Sequence, residues 1–119
     1  MRFSVVNMKR IEAIIPEEKF APVFTGLKEL DLGGFTYYSV KGRGARKREV
    51  VRSGSGRFES RYNINTQFFV VVKDHMVDTV IDTITSLAST GLKGEGKIFV
   101  TSVGDTVDVG SKVRGETSL

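Results

Sequence analysis

The chain contains no cysteine and no tryptophan, two prolines and a single histidine, His75. Lacking thiols, it has no disulfide framework, no thiolate metal site and no cysteine nucleophile, a composition compatible with a reducing compartment. One imidazole alone supports neither a transition-metal centre nor the common nucleophile triads. His75 sits between Asp74 and Met76 at an expected helix start and reads as a surface or capping residue. No run of about 18 apolar residues occurs, so no membrane span is expected. Met1–Asn7 is too short and too mixed for a signal peptide and reads as an extension before the first strand. Glu29 with Asp31, and Asp74 with Asp78, fall at spacings typical of solvated helix faces. No acid–base pair stands out, so a regulatory or binding protein in the cytoplasm is expected rather than an enzyme.

What is present begins with size and charge. At 119 residues the chain fits one domain, over 8–119, large enough to bury roughly two-thirds of its unfolded surface. Between Lys41 and Tyr62, eight basic residues face only Glu49 and Glu59, a net charge of +6. The rest of the chain sums to −2, within a total of +4. A basic segment on a mildly acidic body suits nucleic acid, anionic headgroups or a phosphate-bearing partner, or is simply a solvated loop.

Periodicity gives the element order. Met8–Ile15 alternates as a strand closed by Pro16; Phe20, Val23, Phe24, Leu27 and Leu30 recur at helical spacing over 17–31. Pro22 in that helix is tolerable only near its first turn. Phe35–Lys41 reads as a second strand, Asn65–Lys73 as a third, Asp74–Ser89 as a second helix and Gly96–Val103 as a fourth strand. Between them, 42–63 is rich in glycine, serine and arginine without apolar periodicity, a length usually functional or disordered. The order β-α-β-β-α-β predicts an α+β, ferredoxin-like antiparallel sheet with both helices on one face. The third strand offers Phe68, Val70 and Val72 to one face and Phe69 and Val71 to the other, and the fourth divides Ile98 and Val100 from Phe99 and Val103. Two helices cover one apolar face; self-association is the simplest cover for the second.

The densest chemistry lies in Thr90-Gly91-Leu92-Lys93-Gly94-Glu95-Gly96-Lys97, which leads into Ile98-Phe99-Val100. Clustered backbone N–H groups beside a lysine make an anion cradle. The spacing from Gly91 to Lys97 meets the Walker pattern, but Ile98 stands where a Ser or Thr must hold magnesium, and the helix precedes the loop instead of following it. A P-loop ATPase is excluded. The competing reading is a plain helix-to-strand turn, which needs one glycine and no lysine.

Laid out in order, Met8–Ile15, Val40-Lys41-Gly42-Arg43-Gly44, Val77-Asp78-Thr79 and Thr90–Val100 resemble the PII signal-transduction family, in register and without gaps from Met8 to Val103. The resemblance implies a homotrimer that binds adenine nucleotides between subunits and signals through a long T-loop, here 42–63. By position, Gly94, Glu95, Gly96 and Lys97 match the phosphate-binding B-loop, where aspartate is more usual at Glu95. Gly42 and Gly44 match the glycines at the T-loop base. Thr36, after Gly34 and Phe35, matches a threonine that contacts adenine, and Val71 a strand residue whose backbone reads the base.

Departures from the family pattern narrow the expectation. Arg46 replaces a glutamine that helps hold magnesium and 2-oxoglutarate, and Asn65 replaces a lysine that pairs with the 2-oxoglutarate carboxylate. Phe58 occupies the position of the uridylylated tyrosine, and two phosphate-gripping arginines fall on Asp108 and Gly110, with Arg114 further along the tail expected to reach toward the phosphates if the tail is longer. The pattern is closer to members associated with carboxysomes and bicarbonate uptake than to nitrogen sensors. Expected effectors are ADP or AMP, bound at least as well as ATP, with bicarbonate near Arg46, no prosthetic group and weak or absent 2-oxoglutarate binding. Expected partners are a bicarbonate or ammonium transporter or a carboxysome component, without specific nucleic acid. The alternatives are a nitrogen-regulatory PII protein acting on an ammonium transporter and, from another class, a nucleic-acid-binding module that stacks bases on Phe58 and Tyr62.

Overall fold

A computed structural model describes residues 7–42, 50–53, 56–59, 63–91 and 95–119. Strand β1 (Met8–Pro16) turns Ile11, Ala13 and Ile15 into the core. Pro16 closes it and leads directly into helix α1 (Glu17–Lys28). Glu17 and Glu18 in the first turn and Lys28 in the last complement the helix dipole.

Pro22 lies in the second turn of α1, and the helix continues through it, contrary to the expectation that proline is confined to the first turn. Pro22 and Glu18, whose carbonyl loses its donor, are both exposed, so solvent can take the place of the missing N–H. The helix ends at Lys28, three residues before the expected Asp31, in a turn where the Leu30 N–H donates to Leu27 O at 3.1 Å.

Strands β2 (Thr36–Gly42), β5 (Asn63–Lys73) and β6 (Lys97–Ser102) complete a four-stranded sheet of order β2-β5-β1-β6, antiparallel throughout. Between β2 and β5, strands β3 (Val50–Ser53) and β4 (Gly56–Glu59) pair as a separate hairpin. The expectation of a segment without regular structure is therefore corrected. Its signal was present: Val50-Val51 and Arg57-Phe58 flank a Ser-Gly-Ser-Gly turn sequence. A 3₁₀ turn (Asp74–Met76) then carries the exposed His75 into helix α2 (Val77–Ala88). Apart from this hairpin the order is the expected ferredoxin-like β-α-β-β-α-β.

The core lies between one face of the sheet and both helices. Phe68, Val70 and Val72 of β5 meet Val23 and Leu27 of α1 and Val80 and Ile84 of α2. Gly26 of α1 faces α2, and an added Cβ would lie 2.5 Å from Leu87 Cδ1, so bulk there would displace the Leu87 side chain. An aromatic cluster of Phe20, Phe24, Phe35, Tyr37 and Phe68, with ring centroids 4.9–6.4 Å apart, extends this core to the β2 edge.

Among the described residues, no helix covers the opposite face. There the Arg10 guanidinium lies 4.0 Å above the Phe69 ring and pairs with Glu12 at 2.7 Å. Phe99, opposite Glu12 in β6, is 48% exposed. The two-faced apolar pattern read from β5 and β6 is realised in the chain.

Candidate functional site

The residues singled out in the sequence gather at two corners of the sheet. At the first, β1 ends and β6 begins. Gly96 has φ +155°, and a Cβ there would run into the Ile14 carbonyl oxygen. Gly91 has φ +89°. Both backbones favour glycine whether or not a ligand binds, so a bare turn needs two of the three glycines instead of one. Gly94 lies outside the described residues.

Glu95 does not point into open solvent. Its carboxylate accepts the Thr90 N–H and the Thr90 hydroxyl, each at 2.5 Å, and Gly91 N–H donates to Ser89 Oγ at 3.0 Å. Thr90, which opens the glycine-rich run, is the partner of Glu95, a contact that spacing in the sequence does not show. Lys97 is exposed, pairs in register with Ile14, and its side chain makes no hydrogen bond or ion pair with any described residue. Beside it runs a groove of about 540 Å³ walled by Ile81, Ile84, Ala88 and Ile98, with Glu95 and Lys97 at its rim.

Gly42 belongs to the same end of the sheet. A Cβ on it would lie 3.2 Å from Asn65 Nδ2, and Asn65 is buried. Close packing therefore accounts for this glycine. Gly44 and Arg46 lie outside the described residues.

The second corner lies at the start of β2. Gly34 has φ +149° with open space where a Cβ would stand. Phe35 puts its ring into the aromatic cluster, 5.2 Å from Phe24, leaving its backbone as the part available to a ligand. Thr36 is exposed and pairs with Phe69. Val71 is half-buried and lines a cavity of about 330 Å³ with Gly33, Lys73, His75, Met76 and Leu119.

The C-terminal tail reaches this second side. Val103 N–H donates to Met8 O at 3.1 Å, at the opposite end of β1 from Ile14. Thr106 then organises the tail: its hydroxyl is 3.0 Å from Gly115 O and 2.5 Å from Ser118 Oγ. Arg114, expected to reach toward phosphate, is engaged with Asp105 at 2.9 Å. That hydrogen bond is the chief reason the Asp105 carboxyl is held below the usual aspartate range. Asp108 is lowered mainly by accepting the Ser111 backbone N–H.

Within one chain the corners do not meet. Thr36 and Lys97 sit on the two edge strands, three strand spacings and two residues apart, which amounts to about 16 Å. Gly34, Phe35, Thr36 and Val71 thus form one group and Glu95, Gly96 and Lys97 another, while Gly42, at the far end of β2, stands apart from both.

Comparison with known proteins agrees with this fold. The family described as Nitrogen regulatory protein P-II matches residues 8–112. Nitrogen regulatory protein P-II 2 of Methanothermobacter thermautotrophicus is 36% identical over 97% of this chain and 100% of its own length. Nitrogen regulatory protein P-II 1 of Escherichia coli is 35% identical over 86% of this chain and 91% of its own. The crystal structure of Arabidopsis thaliana PII bound to citrate superposes with a TM-score of 0.75, 29% identity and coverage of 95% of this chain and 92% of that one. With its ferredoxin-like sheet, the chain belongs to the P-II nitrogen regulatory family of signal-transduction proteins, non-catalytic regulators whose members bind adenine nucleotides as effectors.

Proposed function

We propose that this protein is a sensor in which an adenine nucleotide binds between two copies of the chain and sets the conformation of segment 42–63 for a partner. One observation carries the reading: the two groups of candidate residues lie at opposite edges of one sheet, about 16 Å apart. A second chain that brings its β2 corner to the β6 corner of the first would complete one site from two halves. The face bearing Arg10, Phe69 and Phe99 supports such association, since no helix among the described residues covers it. In this arrangement Lys97 and backbone N–H groups take the phosphates, while Thr36 and the backbone around Val71 take the base. A homotrimer is the assembly we assign.

ADP or AMP should bind at least as well as ATP, because Asp108 and Gly110 stand where phosphate-gripping arginines are expected and Arg114 is held by Asp105. Buried, uncharged Asn65 cannot supply the lysine's charge to 2-oxoglutarate. Bicarbonate as second effector rests on Arg46, whose guanidinium fork suits a planar anion. A nitrogen-side role, acting on an ammonium transporter, is the second reading, favoured by the names of the relatives. Calorimetry with AMP, ADP and ATP, each with and without bicarbonate or 2-oxoglutarate, tests both. Coupling of ADP to bicarbonate in wild type but not in Arg46→Ala supports the first; tight 2-oxoglutarate binding with ATP and magnesium supports the second.

A further inference from the structure

A glutamate beside a lysine in a phosphate cradle presents an electrostatic difficulty, because a carboxylate facing the ligand would repel it. The geometry around Glu95 removes the difficulty. Each carboxylate oxygen is occupied by a different donor of the same residue, one by the Thr90 N–H and one by the Thr90 hydroxyl, both at 2.5 Å. Glu95 is five residues from Thr90 and immediately precedes Gly96, whose backbone is fixed against Ile14 of β1. The two bonds therefore tie the start of the glycine-rich loop to its anchored end. We propose that Glu95 is a positioning residue: it ties Thr90 to the anchored Gly96 before any ligand arrives, directs its own charge away from the phosphates, and leaves Lys97 as the charged contact.

This inference rests on the nucleotide reading above, and its mechanism is preorganisation: a site in which Thr90 is already held by Glu95 loses less conformational freedom when it binds. It also assigns Thr90 a role equal to that of Glu95. A glutamine at 95 can keep both bonds, its oxygen accepting the Thr90 N–H and its amide donating to the Thr90 hydroxyl. An alanine keeps neither. Geometry and charge are thereby separable.

The test uses the full chain as wild type, Glu95→Ala, Glu95→Gln, Thr90→Ala and the Glu95→Ala/Thr90→Ala double variant. Amide hydrogen exchange without ligand reads the clamp, and calorimetric titration with ADP reads its consequence. In Glu95→Ala, exchange at the Thr90 amide should accelerate and ADP affinity should fall about tenfold, the order expected for losing hydrogen bonds to a charged group. Glu95→Gln should stay within about threefold of wild type by the same measure. Thr90→Ala should be intermediate, and the double variant no weaker than Glu95→Ala, as for partners in one interaction. Unchanged exchange in Glu95→Ala would show that no clamp exists. Accelerated exchange with unchanged ADP affinity would show a clamp without a positioning role. Glu95→Gln as weak as Glu95→Ala, with Thr90→Ala silent, would make the glutamate charge itself the contact. Absence of ADP binding in wild type would overturn the nucleotide reading beneath the proposal, while the exchange arm would still decide whether Glu95 holds Thr90.

Discussion

The two corners of the sheet are built by different means. The β6 corner is a matter of backbone: Gly91 and Gly96 adopt conformations that favour glycine, Thr90 donates two hydrogen bonds to Glu95, and Lys97 adds one charge. The β2 corner is a matter of packing, with Phe35 seated among Phe24, Tyr37 and Phe68 so that Gly34 and Thr36 are held at the edge. A cradle for a charged, flexible group calls for N–H donors and a cation; a seat for a flat ring calls for rigid apolar support. The difference also separates two kinds of glycine. Gly96 is constrained by conformation and by contact with β1, whereas Gly34 is constrained by conformation alone.

That distinction gives the largest expected effect. Gly96→Ala should destabilise the protein by about 2–4 kcal/mol, from backbone strain plus collision with Ile14. Gly34→Ala should cost about 1–2 kcal/mol, from strain only. Urea unfolding at matched protein concentration measures both, and equal losses would erase the contrast between the corners. Next in size is ligand binding. Lys97→Ala should weaken ADP by about 1–3 kcal/mol through loss of a charge-assisted hydrogen bond, and Thr36→Ala by about 0.5–1.5 kcal/mol through loss of a neutral one. Calorimetry showing the reverse order would exchange the roles of the corners.

The smallest effect concerns the tail beside the second corner. The folded-state carboxyl groups of Asp105 and Asp108 are shifted below the ordinary aspartate range, by the Arg114 and Ser111 hydrogen bonds respectively. Their contribution is therefore fully present above that range and is lost as pH falls through the lowered folded values. Hydrogen exchange should show the Thr106 and Ser111 amides, which donate to these carboxylates, losing protection on acidification. Protection that persists in acid would mean that the tail is held by the Thr106 hydroxyl network alone.

Much of this arrangement was legible in the sequence because its causes are local. Alternation in Met8–Ile15 and Asn65–Lys73 and the helical stripe at Val77, Val80, Ile81 and Ile84 gave the strands and helices that carry the sheet. The glycine-rich run announced the β6 corner. What was missed depends on contacts distant in sequence or on short signals. The hairpin β3–β4 has only four residues in each strand, too few for periodicity to register. Gly26 matters because Leu87 of the other helix lies against it. The Thr106 network joins residues 106, 115 and 118 to Met8. The β2 corner had no spacing signal of its own and came from resemblance to the family.

The central claim is that one site is assembled from the two corners of different chains, and subunit complementation tests it most directly. Lys97→Ala disables the β6 corner, and Thr36→Trp, at an exposed edge position, obstructs the β2 corner. Each variant, verified by light scattering to keep the wild-type oligomeric state, should bind ADP poorly on its own. After the two are mixed, unfolded and reassembled together, some interfaces combine an intact β6 corner with an intact β2 corner, and calorimetry should recover a fraction of sites with wild-type affinity. A mixture that binds no better than its separate components, despite confirmed co-assembly, would contradict a site shared between chains.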